Sequence, residues 1–144
     1  MPAIAWMLVI FGASTEIGSS EHTSRFLIPI LHWINPHISG VGVARAQLLV
    51  RKAAHVTEYA VLALLLLRAF RWQAQATFVR QAAIVLIVAA VYAATDEFHQ
   101  SFAGTRTASL RDVMIDCCGA ALGLAAYWLL ASRRAPALAK STHA

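Results

Sequence analysis

The sequence predicts an all-α fold: a four-helix transmembrane bundle with an interfacial or re-entrant segment between helices one and two. Three observations lead there. The composition is too apolar for a water-soluble domain, since 59% of the 144 residues are hydrophobic and only 13% are charged, where a soluble domain carries about a quarter charged residues. Four aliphatic segments recur at helical length. The polar residues bordering three of them fall on one side once the helices alternate direction.

The first segment is Met1–Thr15. Met1 to Ser24 holds no Lys or Arg to act as a positive n-region, so it reads as a retained helix rather than a secretion signal. Between Glu16 and Val50 lie Pro29 and Pro36, with the apolar stretch FLIPILHWI between Phe26 and Ile34. The prolines forbid one continuous helix. The density of Leu, Ile and Trp argues for a piece lying in the outer interface, with Arg25, His32 and His37 at its polar edges.

The other three segments are Ala53–Leu67, Gln81–Thr95 and Cys117–Ser132. Each is about 15 residues long, short of the roughly 20 that cross a hydrocarbon core, so a soluble bundle is the alternative. Against it, the third and fourth segments are apolar around the whole helix, with no face left for water. Their length is made good by extension into polar ends: Arg51, Lys52, His55 and Glu58; Asp96, Glu97, His99 and Gln100; Asp112 and Asp116.

All seven Asp and Glu lie on the side of these polar ends. The opposite side carries Arg68, Arg71, Arg80, Arg133, Arg134 and Lys140 and no acid. Lys and Arg are equally numerous on the two sides, so the positive-inside rule does not separate them by count. The unpaired bases of the acid-free side place it in the cytoplasm, with both termini there. Residues 1–132 then form one membrane domain and residues 133–144 a basic cytoplasmic tail, with Trp72, Tyr127 and Trp128 near the inner interface. Membrane lipid is the expected partner. Nucleic acid is not, because the net charge of +5 comes from scarce acids and no basic run is interleaved with aromatics. Nothing in the sequence sets an oligomeric state. Cys117 and Cys118, adjacent and in an apolar run, read as ordinary buried residues.

At 100° per residue, Lys52, His55 and Tyr59 share one stripe of the second helix, with Glu58 at its border. Tyr92, Asp96, His99 and Gln100 share a stripe of the third, and Asp112, Asp116, Gly119 and Gly123 one of the fourth. Isolated charges at partial membrane depth are costly, so the stripes should face one another or water. Arg51, Lys52, Arg106 and Arg111 nearly balance Glu58, Asp96, Glu97, Asp112 and Asp116. Such a pocket suits proton transfer. Ser109 and Asp112 have capping-box spacing, and Gly119 to Gly123 offers a small-residue packing face.

The segments RKAAHVTEY (Arg51–Tyr59), TDEFHQSF (Thr95–Phe102) and GTRTASLRDVMIDCCGAALG (Gly104–Gly123) resemble the VanZ-like integral membrane proteins, named for a protein associated with teicoplanin resistance. The resemblance covers about half the chain. It implies characteristic polar positions at Lys52, His55, Tyr59, Asp96, Glu97, His99, Gln100, Phe102, Arg106, Asp112, Gly119 and Gly123, and a bacterial inner-membrane location. At Asp116 the resemblance leads one to expect Asn.

Three functional readings stay open. One is an enzyme at the outer leaflet acting on a lipid or lipid-linked envelope precursor, with His55, Asp96, Glu97, His99 and Asp112 as catalytic candidates and Lys52, Tyr59, Gln100 and Arg106 as substrate-binding ones. The second is a non-catalytic protein that alters surface binding of glycopeptides such as teicoplanin. The third is a proton pathway, opposed by the lack of polar residues in Val61–Leu67, Ile84–Val91 and Leu122–Leu130. An ion-pair network that only fixes helix register would use the same residues. His55, His99, Asp96 and Asp112 are acceptable zinc ligands, but their spacing matches no metal motif, so the reading includes no metal and no cofactor.

Overall fold

A computed structural model describes residues 2–14, 20–70, 76–100 and 109–141; the side chains of 20–23, 100 and 134–141 are not among those described. The described residues form five helices: α1 (Pro2–Ser14), α2 (Ser20–Ile34), α3 (Gly40–Phe70), α4 (Phe78–Gln100) and α5 (Leu110–Ser141).

Hydroxyl residues start the three long ones. The Ser39 side chain accepts the Gly42 N–H at 3.2 Å, and Thr77 accepts the Arg80 N–H at 3.4 Å. The Ser39, Thr77 and Ser109 carbonyls each take the first helical bond. Such caps satisfy amide donors that a helix start leaves open.

Three helices are long and apolar enough to cross a membrane: Gly40–Phe70, Phe78–His99 and Leu110–Arg133. At about 1.5 Å per residue the 22 residues of the second reach roughly 33 Å, against a hydrocarbon core of about 30 Å. Helix α1, with 13 residues, reaches only about 20 Å. Large apolar side chains including Ile4, Leu8, Ile87, Val91, Leu122 and Leu129 point outward. That surface suits lipid rather than water.

Helix α3 differs most from expectation. It begins at Gly40 rather than beside Arg51, so the eleven residues from Gly40 to Val50 assigned to the interfacial segment form its first turns. Ser20–Ile34 of that segment form α2, which continues through Pro29. Proline costs the N–H that would reach the Arg25 carbonyl, a loss tolerated here near the exposed middle of a short helix. The chain breaks instead at Pro36: the Asn35 side chain accepts the His37 N–H at 3.1 Å and turns the backbone into Ser39. Helix α2 packs on the start of α3, where Gln47 Nε2 donates to Ser24 Oγ at 2.8 Å. Phe26, Ile30, Trp33 and Ile34 form its outward apolar flank, and Arg25 and His32 lie on the opposite flank.

Helices α3 and α5 make the most extensive contact. They run parallel, because Lys52 meets Asp112, His55 meets Asp116, Gly119 lies on Val56 and Gly123 lies on Ala60. Both glycines press directly on backbone. A Cβ at Gly119 would sit 2.5 Å from the Val56 carbonyl oxygen, and one at Gly123 would sit 2.7 Å from that of Ala60. Small residues at that spacing are what membrane helices use for close approach. Helix α4 runs antiparallel to both, with Phe78 stacked on Tyr127 at one end and Glu97 bonded to Ser109 at the other.

The core lies between these helices and contains Ile10, Tyr59, Leu62, Ala63, Leu67, Val85, Ala89, Ala93, Ala120 and Leu124. Cys118 is exposed on the outer face of α5 and Cys117 is half-buried, and both are free thiols. The expectation of two buried cysteines is corrected: the inward face of α5 is taken by Asp116, Gly119 and Ala120, which turns Cys118 outward.

Candidate functional site

The polar residues of α3, α4 and α5 gather at one end of the apolar core. Successive turns of α3 present Lys52, His55 and Tyr59, spaced by three and four residues and therefore on one face. Across from them α5 presents Asp112 and Asp116. Lys52 Nζ donates to Asp112 Oδ1 at 3.0 Å, a pair with both side chains about one-third exposed. One turn deeper, His55 Nδ1 lies 3.1 Å from Asp116 Oδ1, with the histidine side chain 15% exposed and the aspartate 1%. The second oxygen, Asp116 Oδ2, is buried with no hydrogen-bond partner among the described residues. Tyr59 is fully buried below this pair, its ring 6.2 Å from that of Tyr92, and its hydroxyl likewise has no partner among the described residues.

Helix α4 contributes two buried carboxylates that do different work. Asp96 Oδ2 accepts the Ser14 hydroxyl at 2.7 Å, tying the end of α1 to the cluster. Glu97 Oε2 accepts the backbone N–H of Ser109 at 2.8 Å. In a capping box the residue three positions into the helix would accept that N–H. Here Glu97 takes it instead of Asp112, which leaves Asp112 to face Lys52. Helix α1 is held at two further points: Trp6 Nε1–H donates to the Glu58 carbonyl at 2.9 Å, and the Tyr92 hydroxyl donates to the Met7 carbonyl.

His99 does not join these residues. It is exposed, and its ring lies 4.4 Å from that of Phe11 on the flank of α1. The inward stripe of α4 is Ala89, Ala93, Asp96 and Glu97, which rotates His99 to the border. The Gln100 side chain, Phe102 and Arg106 lie outside the described residues, as do Arg71 and Trp72. Arg111 is exposed. Among the described residues no three His, Cys, Asp or Glu converge closely enough to hold a metal ion.

Sequence reasoning did not find Ser14 and Trp6. Both lie inside an apolar helix, and their partners are 82 and 52 residues away. The one available signal was Ser14 closing an aliphatic run at the polar side.

Chemically, the arrangement offers a carboxylate–imidazole pair at the buried floor, an ammonium–carboxylate pair nearer the rim, and an apolar wall beneath. Leu62, Leu66, Leu67, Val85 and Leu124 fill the core below Tyr59. The side chains of that wall are all apolar.

A family model described as VanZ/LLP1 matches residues 1–131. The chain belongs to the VanZ/LLP1 family. The expectation drawn from Arg51–Tyr59, Thr95–Phe102 and Gly104–Gly123 is thereby borne out, and the match takes in α1 and α2 as well. With three helices long and apolar enough to span, this VanZ/LLP1 chain is a membrane protein in contact with lipid. No curated protein and no solved structure matches it.

Proposed function

We propose that this VanZ/LLP1 protein is a four-helix membrane bundle of α1, α3, α4 and α5, carrying an acid/base site in its outer half that acts on a lipid or lipid-linked precursor of a bacterial cell envelope. Helix α2 lies in the outer interface as its apolar flank enters the headgroup region. Both termini are cytoplasmic in an inner membrane: the acid-free end bears the exposed Arg68, Arg80 and Arg133, and unpaired bases favour the inner side.

The observation that carries this reading is His55 held 3.1 Å from the buried Asp116 where the polar ends of three helices meet, with a cation one turn away. In the proposed reaction His55 takes a proton from an attacking hydroxyl or water, or returns one to a leaving oxygen. Lys52 binds an anionic group such as a phosphate by exchanging its contact with Asp112. Arg106 and Gln100 assist in binding, and Tyr59 closes the floor. Asp96 and Glu97 hold α1 and α5 in place, and His99 meets the substrate at the rim. The test is incubation of the purified protein in lipid nanodiscs with envelope lipids. A product that disappears with His55→Gln supports the enzyme, while identical products from both proteins remove it.

A second reading is favoured by one feature: each of Asp96, Glu97, Asp112 and Asp116 accepts a hydrogen bond from within the chain. Carboxylates engaged within the chain in this way suit a non-catalytic protein whose outer rim alters surface binding of glycopeptides such as teicoplanin. On that reading Asp116→Asn and His55→Gln leave drug susceptibility unchanged at equal protein abundance.

A further inference from the structure

We propose that Asp116 is the positioning residue for His55: it keeps the proton on Nδ1 and so presents Nε2 as the nitrogen that exchanges protons. This rests on the reading of His55 as the acid/base group given above.

A neutral imidazole has one donor and one acceptor nitrogen, and which is which follows from what each faces. An ionised carboxylate only accepts. Asp116 Oδ1 faces Nδ1 at 3.1 Å, so the pair is satisfied when Nδ1 carries the hydrogen and Nε2 the lone pair. Among the described residues nothing bonds Nε2. The half-buried ring is therefore held by one nitrogen and left open at the other.

Rigidity supports the same assignment. Asp116 lies three residues before Gly119, and His55 is next to Val56. The close backbone approach of Gly119 on Val56 is thus adjacent to the pair. The backbones that carry the two partners are therefore held in register. Asp116 is also almost fully buried, so little water competes for the contact. A carboxylate that orients an imidazole and fixes its tautomer is the arrangement that makes histidine an efficient base in hydrolytic triads. Here the third member would be the substrate's hydroxyl or a water.

The test is ¹⁵N NMR of histidine-labelled full-length protein in lipid bilayers, at a pH where the ring is neutral. His55 signals are identified by their loss in His55→Gln. The expected result is a protonated Nδ1 and an unprotonated Nε2 in the parent protein. In Asp116→Ala the population should move toward the Nε2–H form. In Asp116→Asn, which keeps the shape but can donate as well as accept, the Nδ1–H preference should be lost. A parent protein in the Nε2–H form overturns the proposal. So does a tautomer unchanged in both variants. If Asp116→Ala does not fold, the parent spectrum and the near-isosteric Asn variant decide. With a substrate in hand, Asp116→Asn should lower kcat at least tenfold with KM little changed. The tautomer is read without substrate, so an inactive protein that still shows the shift refutes the enzyme reading alone. A catalyst dependent on His55 but indifferent to Asp116 refutes this one.

Discussion

The Glu97 carboxylate accepts the backbone N–H of Ser109 at 2.8 Å, so the end of α4 caps the start of α5 across twelve residues of chain. One side chain thereby fixes how two antiparallel helices meet at the polar end and supplies negative charge where an α-helix N-terminus is partly positive. Removing the carboxyl group with Glu97→Ala strands a part-buried amide, which costs about 1–3 kcal/mol. Glu97→Gln keeps a carbonyl acceptor and should retain most of that. Thermal unfolding in a fixed detergent separates them, and equal losses in both variants would contradict the capping role.

Close packing of α5 on α3 should make Gly119→Ala and Gly123→Ala among the most damaging single-methyl changes in the chain. Each added Cβ meets a carbonyl oxygen of the facing backbone, which cannot move aside as a flexible side chain can. Overpacking of this kind costs about 1–3 kcal/mol. Ala121→Gly is a fair comparison for handling effects, because Ala121 is exposed. Unfolding midpoints of the three variants are the readout.

Ser14→Ala should loosen α1. The hydroxyl donates to Asp96 in a buried setting, and a hydrogen bond to a charged group is worth about 1.5–3 kcal/mol. Ser14→Thr retains a hydroxyl and should behave nearly as the parent. Limited proteolysis near the N-terminus, compared at equal helicity, reports the release.

Tyr59→Phe should be neutral or mildly stabilising. The ring is fully buried, and its hydroxyl finds no partner among the described residues, so deletion removes a desolvated polar group without breaking a bond. A clear loss of stability in the unfolding midpoint would mean that the hydroxyl is bonded.

Much of this architecture was readable because membrane helices state their purpose in composition. The runs Ala53–Leu67, Gln81–Thr95 and Cys117–Ser132 fall within α3, α4 and α5, and the polar ends of all three meet at one end of the core. Periodicity placed Lys52, His55 and Tyr59 on one face because three- and four-residue spacing is local. What it missed is tertiary. The first turns of α3, with Gly40, Gly42, Arg45 and Gln47, resemble a loop in composition; in the fold they are capped by Ser39 and pack against α2. The stripe holding Asp96 and His99 was broad enough to include both, and the neighbouring helices decided that Glu97 turns inward while His99 rests on Phe11. The Asp116 position, ambiguous in sequence, gained its meaning from His55 on another helix.

Helices α3 and α5 run parallel and in contact, with His55 facing Asp116. This arrangement can be tested by placing His55→Cys and Asp116→Cys together in a Cys117→Ser, Cys118→Ser background and treating native membranes with a short bifunctional thiol reagent. Rapid cross-linking within one chain is expected, and none for His55→Cys with Met114→Cys, whose side chain points outward. Equal reaction of both pairs, or cross-links only between chains, would contradict it.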